Sequence, residues 1–396
     1  MRSIEPLIAN LLPELVALRR ELHAHPEPGY QEIETAKKIV AILKRISGIQ
    51  IRTGVGVTGV VATLGAEKTG PCVALRADMD CLPISEETAL PYASQNPGYM
   101  HACGHDGHTV CLLGAALVLS AIREELSGPV KFIFQPAEEG GAGGNRLCNE
   151  GALESPKVDA IFGLHNMPTQ ELALGDIATR VGPFMAASGN FTLIIKGKGG
   201  HAAAPHRCVD PIYIGSQIIN ALQSIVSRSL DPVANGVLSV TWFHAGTAFN
   251  VIPETAEIRG TFRSLDDSTH LETAKRIDTL ATAIAEAHGA TLEARIDPGY
   301  PVLVNDARCV ALLATVARAA GFGGQLKTDQ PPLMAGEDFA YYIKRVPGCF
   351  WFQGTRPPGV EKPHFCHSAY YDFNDDSIAQ AVQMHVETAR RFASLW

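Results

Sequence analysis

Short apolar segments alternate with helical stretches through the first part of the chain, and this alternation constrains the fold more than any other feature. The apolar segments cover residues 60–64, 73–76, 130–134 and 160–164. Apolar residues recur with helical periodicity over residues 7–23, 32–44 and 109–123. Continuous apolar strands between helices are typical of a sheet that is covered on both faces. The pattern therefore predicts an α/β fold with a mostly parallel central sheet flanked by helices, and such sheets bind ligands at the carboxyl ends of their strands.

The pattern changes near residue 182 and resumes near residue 298. Between these points, strands are predicted at 191–196, 238–243, 257–262 and 292–296, and helices at 212–226 and 271–288. Beyond them, predicted helices at 308–320 and 377–394 flank a strand at 349–352. A chain of 396 residues exceeds the usual size of one core. We therefore expect an inserted α+β domain with an antiparallel sheet, 184–297, within a catalytic domain formed by 1–183 and 298–396.

Composition and charge exclude several classes of protein. A formal net charge of -8, without a run of basic residues, argues against nucleic acid as a partner. No apolar stretch approaches the roughly 18 residues of a membrane span, and the N-terminal segment lacks the apolar region of a signal peptide. The nine cysteines are scattered and form no CxxC pair, so most are expected to be buried thiols. The sequence predicts a cytoplasmic protein with no membrane partner.

Histidines, carboxylates and one cysteine are concentrated in four short segments, most of them directly after predicted strands. These segments are residues 76–80, 101–108, 135–140 and 163–166. Cys103 and His105 are zinc-type ligands, and alternate residues of an extended loop can face one point. A buried thiol beside surface histidines is the alternative, because cysteine is commonly buried. Three histidines and an aspartate within 101–108 favour a functional site.

Two adjacent carboxylates, Glu138 and Glu139, follow an apolar strand. They could form a solvated turn, or one could bind a metal while its neighbour transfers protons. His165 lies at the end of another predicted strand, and His367 precedes the last helix. Because His367 belongs to the second half of the split domain, it could close the same site.

Seven motifs occur in the order found in a known family. They are Arg76-Ala77-Asp78-Met79-Asp80, His101-Ala102-Cys103-Gly104-His105-Asp106, Pro136-Ala137-Glu138-Glu139-Gly140, Gly163-Leu164-His165, Gly197-Lys198-Gly199-Gly200-His201, Gly336-Glu337-Asp338-Phe339 and His367-Ser368. The chain resembles, over nearly its whole length, the metallopeptidase-like amidohydrolases that include hippurate hydrolases, bacterial N-acyl-amino-acid amidohydrolases (aminoacylases) and plant auxin-conjugate hydrolases. The match is specific for the family and only weakly specific for the substrate.

The resemblance implies a di-zinc exopeptidase-like fold with two divalent metal ions in each subunit. The implied ligands are Cys103, His105, Glu139, His165 and His367. Glu138 is then the general base, and zinc suits the thiolate ligand, although related enzymes also take manganese, cobalt or nickel. The wider superfamily has His-x-Asp where this chain has Asp78-Met79-Asp80, and aspartate at Cys103, which favours acyl-amino-acid hydrolases over dipeptidases. Asp80 is expected to orient a ligating imidazole.

The inserted domain carries three further candidates. In similar enzymes the histidine at the position of His201 enters the active site of the partner subunit, so the resemblance implies a homodimer through the inserted domain, which then acts as a lid and dimerisation domain. His201 is the candidate donor to the oxyanion of the tetrahedral intermediate. Asn250 and Arg263 are the candidates for holding the substrate carboxylate. A polar turn histidine and an exposed strand-end arginine are the alternative interpretations.

The sequence thus predicts a metal-dependent amidohydrolase that cleaves small N-acyl amino acids of the hippurate or N-acetyl type. The products would be a carboxylic acid and a free amino acid. A non-catalytic small-molecule binding protein is the alternative from another class, because solute binders share the two-domain α/β plan. Such a binder has no need of a complete set of metal ligands. A dipeptidase and a biosynthetic deacylase are alternatives within the enzymes.

Overall fold

The structure, a computed structural model, describes residues 2–396 and divides into two compact units. The first unit contains the chain up to Gly182 with Val304–Pro331 and Asp338–Trp396, and the second contains Pro183–Leu303 with Pro332–Glu337. The helices are α1 (Glu5–Ala24), α2 (Ile33–Leu43), α3 (His105–Ala121), α4 (Gly143–Asn149), α5 (Pro211–Ser224), α6 (Asp267–Ala287), α7 (Ala307–Ala319), α8 (Ala340–Ile343) and α9 (Ile378–Leu395). The strands are β1 (Gln50–Val55), β2 (Gly59–Leu64), β3 (Val73–Asp78), β4 (Val130–Gln135), β5 (Ala160–Met167), β6 (Ile177–Ala178), β7 (Gly182–Met185), β8 (Ala187–Lys196), β9 (Gly200–His201), β10 (Gly236–Ala245), β11 (Val251–Ile252), β12 (Thr255–Ser264), β13 (Thr291–Tyr300), β14 (Leu303–Asn305), β15 (Leu326–Lys327) and β16 (Gly348–Gly354).

An eight-stranded sheet forms the centre of the first unit. Its strand order is β1-β2-β4-β3-β5-β16-β6-β15. The four central strands β4, β3, β5 and β16 are parallel, whereas β2 runs antiparallel to β4 and β6 runs antiparallel to β16. The predicted α/β fold with a mostly parallel sheet is therefore confirmed.

Complete burial of the central strands explains their apolar sequences. Every residue of β2, β3 and β4 is buried, because helices cover both faces of the sheet. The helix α3 packs against α1 and α9, and nearly all of its residues are buried. The core therefore surrounds β3 and α3, two elements whose ends carry several of the candidate site residues.

A four-stranded antiparallel sheet with the order β10-β12-β8-β13 forms the second unit. The helices α5 and α6 pack against this sheet, and their apolar faces share one core with the inward side chains of β8 and β12. Both helices begin at an aspartate cap: the carboxylate of Asp210 accepts hydrogen bonds from Ile212 and Tyr213, and that of Asp266 accepts one from Thr269. This unit has the predicted antiparallel α+β architecture and extends a few residues beyond the predicted 184–297. Its role as a lid and dimerisation domain stays a prediction.

The structure also bears on membrane association and on the cysteines. Among residues 2–396, none of the helices has the length and apolarity that a membrane span requires. All nine cysteines, each within the described residues, are free thiols, and six of them are buried in the first unit: Cys72, Cys81, Cys103, Cys111, Cys309 and Cys349. The prediction of buried thiols without a disulfide framework agrees with this arrangement.

Candidate active site

The carboxyl edge of the central parallel strands gathers most of the candidate residues. Asp80 follows β3, the pair Glu138 and Glu139 follows β4, and His165 lies near the end of β5. Parallel strands that lie side by side place their carboxyl ends at one edge, so these segments meet although they are far apart in the sequence. All of them belong to the first unit.

Cys103 and His105 reach this edge through a tight turn at the start of α3. His105 is the first residue of the helix, so the extended loop expected for residues 103–105 is wrong in this detail. Gly104, between them, has a φ of +87°, and a Cβ atom there would lie 2.3 Å from the Asn166 side-chain oxygen. Only glycine fits this left-handed, crowded position, and the turn aims the side chains of Cys103 and His105 to the same side.

The five predicted ligands converge around Cys103. One group contains Cys103, His105 and His165, and a second contains Cys103, Glu139 and His367, with the ligand atoms of each group within 4.8 Å of one another. Nε2 of His165 lies 3.3 Å from Sγ of Cys103. Oε1 of Glu139 lies 3.2 Å from Nε2 of His367 and 4.0 Å from Nε2 of His105. The two groups have Cys103 in common, and together they would hold two cations.

The donor atoms fit divalent metal ions. Nε2 of His105 is buried and has no hydrogen-bond partner within residues 2–396. A buried polar atom without a partner is costly, so its presence here indicates a ligand that completes the site. Thiolate, imidazole and carboxylate together form a set that zinc and related transition metals prefer.

Hydrogen bonds fix the orientation of two of the imidazoles that are predicted to bind metal. Nδ1 of His105 lies 3.2 Å from Oδ1 of Asp80, whose Oδ2 accepts a hydrogen bond from the Glu139 N–H at 3.0 Å. Nδ1 of His165 donates to its neighbouring carbonyl oxygen, that of Asn166, at 2.6 Å. In both histidines the bonded Nδ1 leaves Nε2 directed at the ligand cluster, which is the tautomer that a metal requires.

The charges at the site favour a cation. Burial lowers the pKa of His105, but the carboxylates of Asp78 and Asp80 outweigh it and raise that pKa to about 10. Burial also raises the pKa of Asp78, yet the nearby His105 and Arg76 hold it well below its usual range. By contrast, burial and the neighbouring His108 lower the pKa of His165 to about 3. The ionised carboxylate of Asp78 is thus held in a buried site, where it attracts positive charge.

The sequence interpretation missed a second layer of buried polar residues. His108 lies three residues after His105 on α3; its Nδ1 donates to Oδ1 of Asp78 at 2.6 Å, and its Nε2 accepts from the Asn166 N–H at 3.0 Å. The spacing of His105 and His108 on one helix face was the available signal. Arg76 and Asp338 form a buried ion pair at 2.9 Å, and no local sequence signal marks it.

The second unit places two of its candidate residues close together and the third far from them. His201 is exposed in β9, which pairs with β11, and the Ala202 N–H donates to the carbonyl of Asn250 at 3.1 Å. Both residues therefore lie near the start of β12, where Gly197 is bonded to Glu254. Arg263 lies at the other end of β12, opposite Ser188. At roughly 3.3 Å per residue, about 26 Å of strand separates the two ends.

The fold and the cluster of thiolate, imidazole and carboxylate ligands are those of a metal-dependent hydrolase. A sequence profile of Peptidase family M20/M25/M40 matches residues 74–391, and the chain belongs to this family. It is 41% identical over 385 residues to the N-acetyl-L-cysteine deacetylase of Bacillus subtilis, with 97% of this chain and 89% of that protein covered. It is also 41% identical to the IAA-amino acid hydrolase ILR1-like 4 of Arabidopsis thaliana, with 96% and 85% covered.

A solved structure agrees with this assignment. A Bacillus subtilis protein described as a dinuclear metal binding peptidase from the M20 family superposes with a TM-score of 0.81 at 36% identity, with 98% of this chain and 100% of that chain covered. The resemblance inferred from the seven motifs is therefore confirmed, and so is the prediction of a metal-dependent amidohydrolase.

Proposed function

We propose that this enzyme binds two divalent cations in each subunit and hydrolyses the amide bond of small N-acyl amino acids. The observation that carries the proposal is the convergence of five ligand side chains around Cys103, with Glu138 within 4.8 Å of ligand atoms on His105 and Glu139. Zinc is the metal that best suits a site containing a thiolate, and manganese, cobalt and nickel are the other candidates. The products are a carboxylic acid and a free amino acid.

Glu138 is the proposed proton-transfer group. When bound, the cations supply Lewis-acid polarisation of the scissile carbonyl and lower the pKa of the attacking water. The Glu138 side chain is buried beside the ligands, where it can take a proton from this water and return it to the leaving amine. Asp80 supports this chemistry indirectly, because it orients His105 and the backbone of Glu139.

The relatives support an N-acyl amino acid as the substrate. One is named for deacetylation of N-acetyl-L-cysteine and another for hydrolysis of IAA-amino acids, so both names describe an amino acid with an acyl group on its nitrogen. Arg263 is the proposed contact for the substrate carboxylate, because guanidinium binds carboxylate through two parallel hydrogen bonds. Asn250 lies beside His201 at the opposite end of β12, so Asn250 is proposed to reach the substrate carboxylate from the partner subunit.

We further propose a homodimer through the second unit, in which His201 serves the partner's active site as the oxyanion donor. The separation of His201 from Arg263 along β12 supports this arrangement, because one small substrate cannot reach both ends of the same strand. The edge strand β10 also exposes Trp242 and Phe243 by 49% and 40%. Exposed aromatic residues on a sheet edge are typical of a surface that pairs with another chain.

A cytoplasmic location is also proposed. Its support is the set of nine free thiols, because a reducing compartment keeps cysteines in this form.

Substrate profiling with metal quantification tests the proposed function. The purified enzyme is stripped with a chelator, reloaded with zinc, manganese, cobalt or nickel, and assayed on N-acetyl, N-benzoyl and N-indolylacetyl amino acids beside simple dipeptides. We expect about two cations per subunit, loss of turnover on stripping, and a preference for acyl amino acids over dipeptides. A reloaded enzyme that binds such compounds without cleaving any would support a binding protein instead.

A further inference from the structure

Arg76 lies at the centre of a buried polar network beside the candidate metal site. Its side chain, in β3, has no solvent exposure. Nη1 donates to Oδ2 of Asp78 at 2.7 Å, and Nη2 donates to Oδ1 of Asp338 at 2.9 Å. Nε donates to Oε1 of Gln135 at 2.8 Å. One planar guanidinium thus holds two fully buried carboxylates from distant parts of the first unit.

The Asp78 side of this network faces the ligand His105. Oδ1 of Asp78 accepts the His108 Nδ1–H, while Oδ2 lies 3.7 Å from the His105 Nε2 atom that has no hydrogen bond among the described residues. The Arg76 Nη1–H donates its hydrogen bond to this Oδ2 atom. Without the guanidinium, Oδ2 would be free to accept a hydrogen bond from His105 and would favour the tautomer with the proton on Nε2, so it would compete with a cation for that nitrogen.

The Asp338 side faces the proton-transfer group. The Asp338 carboxylate accepts hydrogen bonds from the Gln135 side chain at 2.7 and 2.8 Å, and from the Gly144 N–H at 2.8 Å. With its side chain fixed in this way, the Asp338 backbone N–H donates a long hydrogen bond of 3.4 Å to Oε1 of Glu138. This hydrogen bond links the position of Glu138 to the anchoring of Asp338.

We propose that Arg76 is a positioning residue with two separate effects, a proposal that rests on the function proposed above. It keeps the Asp78 carboxylate away from His105 Nε2, so that this nitrogen remains available to a metal. It also anchors Asp338, so that the Asp338 N–H holds Glu138 for proton transfer. Both effects need the planar fork of arginine, because a lysine ammonium is a point charge that cannot bridge two carboxylates with the same geometry.

The test compares Arg76→Lys with wild-type enzyme by two measurements. Zinc affinity is measured by competition with a chromophoric chelator, and kcat and KM are measured at saturating zinc on the best substrate of the wild type. We expect zinc binding to weaken by roughly 10- to 100-fold, as is typical when a residue that supports a metal ligand is changed. We also expect a lower kcat with a KM close to that of the wild type, since the Arg76 side chain is fully buried.

Arg390→Lys is the matched control for general effects of a buried arginine. Arg390 is only 6% exposed and pairs with Glu387 in α9, away from the ligand cluster. This variant is expected to lose stability without a change in zinc affinity or kcat. An Arg76→Lys variant that has both the zinc affinity and the kcat of the wild type would overturn the proposal. If wild-type protein binds zinc but cleaves no substrate, the proposed function fails, while the ratio of zinc affinities still tests Arg76.

Asp338→Asn separates the two effects and replaces Arg76→Lys if that variant does not fold. The amide keeps an acceptor for the Gly144 N–H but removes the charge that pairs with Arg76. We expect a kcat lowered about tenfold or more, with zinc affinity unchanged, because this side of the network reaches Glu138 and not the ligands. A kcat equal to that of the wild type would overturn the assigned role of the Arg76–Asp338 pair.

Discussion

Oδ1 of Asp80 lies 3.2 Å from Nδ1 of His105. The other oxygen of the same carboxylate accepts the backbone N–H of Glu139 at 3.0 Å. One side chain that coordinates no metal in our assignment therefore fixes two of the proposed ligands. Because both contacts hold proposed ligands in place, their loss is expected to weaken metal binding more than it weakens the fold.

Asp80→Ala should weaken metal binding by roughly 10- to 100-fold, because His105 loses the partner that sets its tautomer and its ring orientation. Chelator competition measures this change. Asp376→Ala is the control, since Asp376 is an exposed aspartate at the start of α9 and away from the ligands. Equal metal affinities in the two variants would contradict the role assigned to Asp80.

Glu138→Gln should retain both cations but lose turnover by about 10²- to 10⁴-fold, because an amide cannot accept and return the proton. Glu139→Gln, the neighbouring change of the same type, should instead lose metal, since Glu139 lies among the ligand atoms of Cys103 and His367. Metal content and kcat measured on both variants separate the two roles. A near wild-type rate in Glu138→Gln would show that another group transfers the proton.

The extent to which the sequence predicts the fold follows from burial. Residues 73–76 and 130–134 could be recognised as strands because both faces of β3 and β4 are buried. The strand β1 was missed, since it lies at the edge of the sheet and most of its side chains are exposed or half-buried. The two-residue strands β6 and β15 are too short to show any periodicity.

The residues of the candidate site also differ in how far the sequence predicts them. Cys103, His105 and His165 stand out because few residue types can bind a transition metal. The pairing of Arg76 with Asp338 could not be predicted, since 262 residues separate the two and either could be an ordinary surface charge. Asp78 lies within a recognised motif, yet its bond to His108 depends on how α3 packs against β3, which only the folded chain reveals.

His23 predicts a specific dependence of stability on pH. It is buried, with Nδ1 2.9 Å from Asp106 and Nε2 3.4 Å from Glu86. Burial lowers the pKa of His23, but these two carboxylates outweigh it and raise that pKa to about 9 from 6.5. Because the folded pKa is above the unfolded one, the charged pair stabilises the protein fully below pH 6.5, and this stabilisation is lost as the pH rises through about 9.

The free energy of unfolding by urea, measured on metal-free protein at several pH values, tests this expectation. Between pH 6 and pH 10, wild-type protein should lose about 3 kcal/mol more than His23→Gln, which carries no titrating imidazole. Groups common to both proteins cancel in this difference. Parallel pH profiles for the two proteins would contradict the assignment of a charged His23 in the folded state.

Mixed dimers test whether His201 acts in the active site of the partner subunit. His201→Ala and Glu138→Ala should each be nearly inactive as pure homodimers. In a mixed dimer, the His201→Ala subunit keeps its own Glu138 and receives an intact His201 from its partner, so one complete site is restored. Random reassociation of equal amounts should therefore recover about a quarter of wild-type activity, because half of the dimers are mixed and each has one working site.

The opposite arrangement gives a different result from the same mixture. If His201 served the site of its own subunit, every site in a mixed dimer would lack either His201 or Glu138, and mixing would restore nothing.

A third variant, Trp242→Glu, places a charge on the exposed edge strand β10 and should prevent pairing of the subunits through that edge. It should then abolish the recovery in the mixture and reduce the activity of the otherwise wild-type chain, because a site without a partner has no His201. Full activity in a monomeric Trp242→Glu protein would show that each subunit is complete, and sedimentation velocity run beside the activity assay distinguishes these cases.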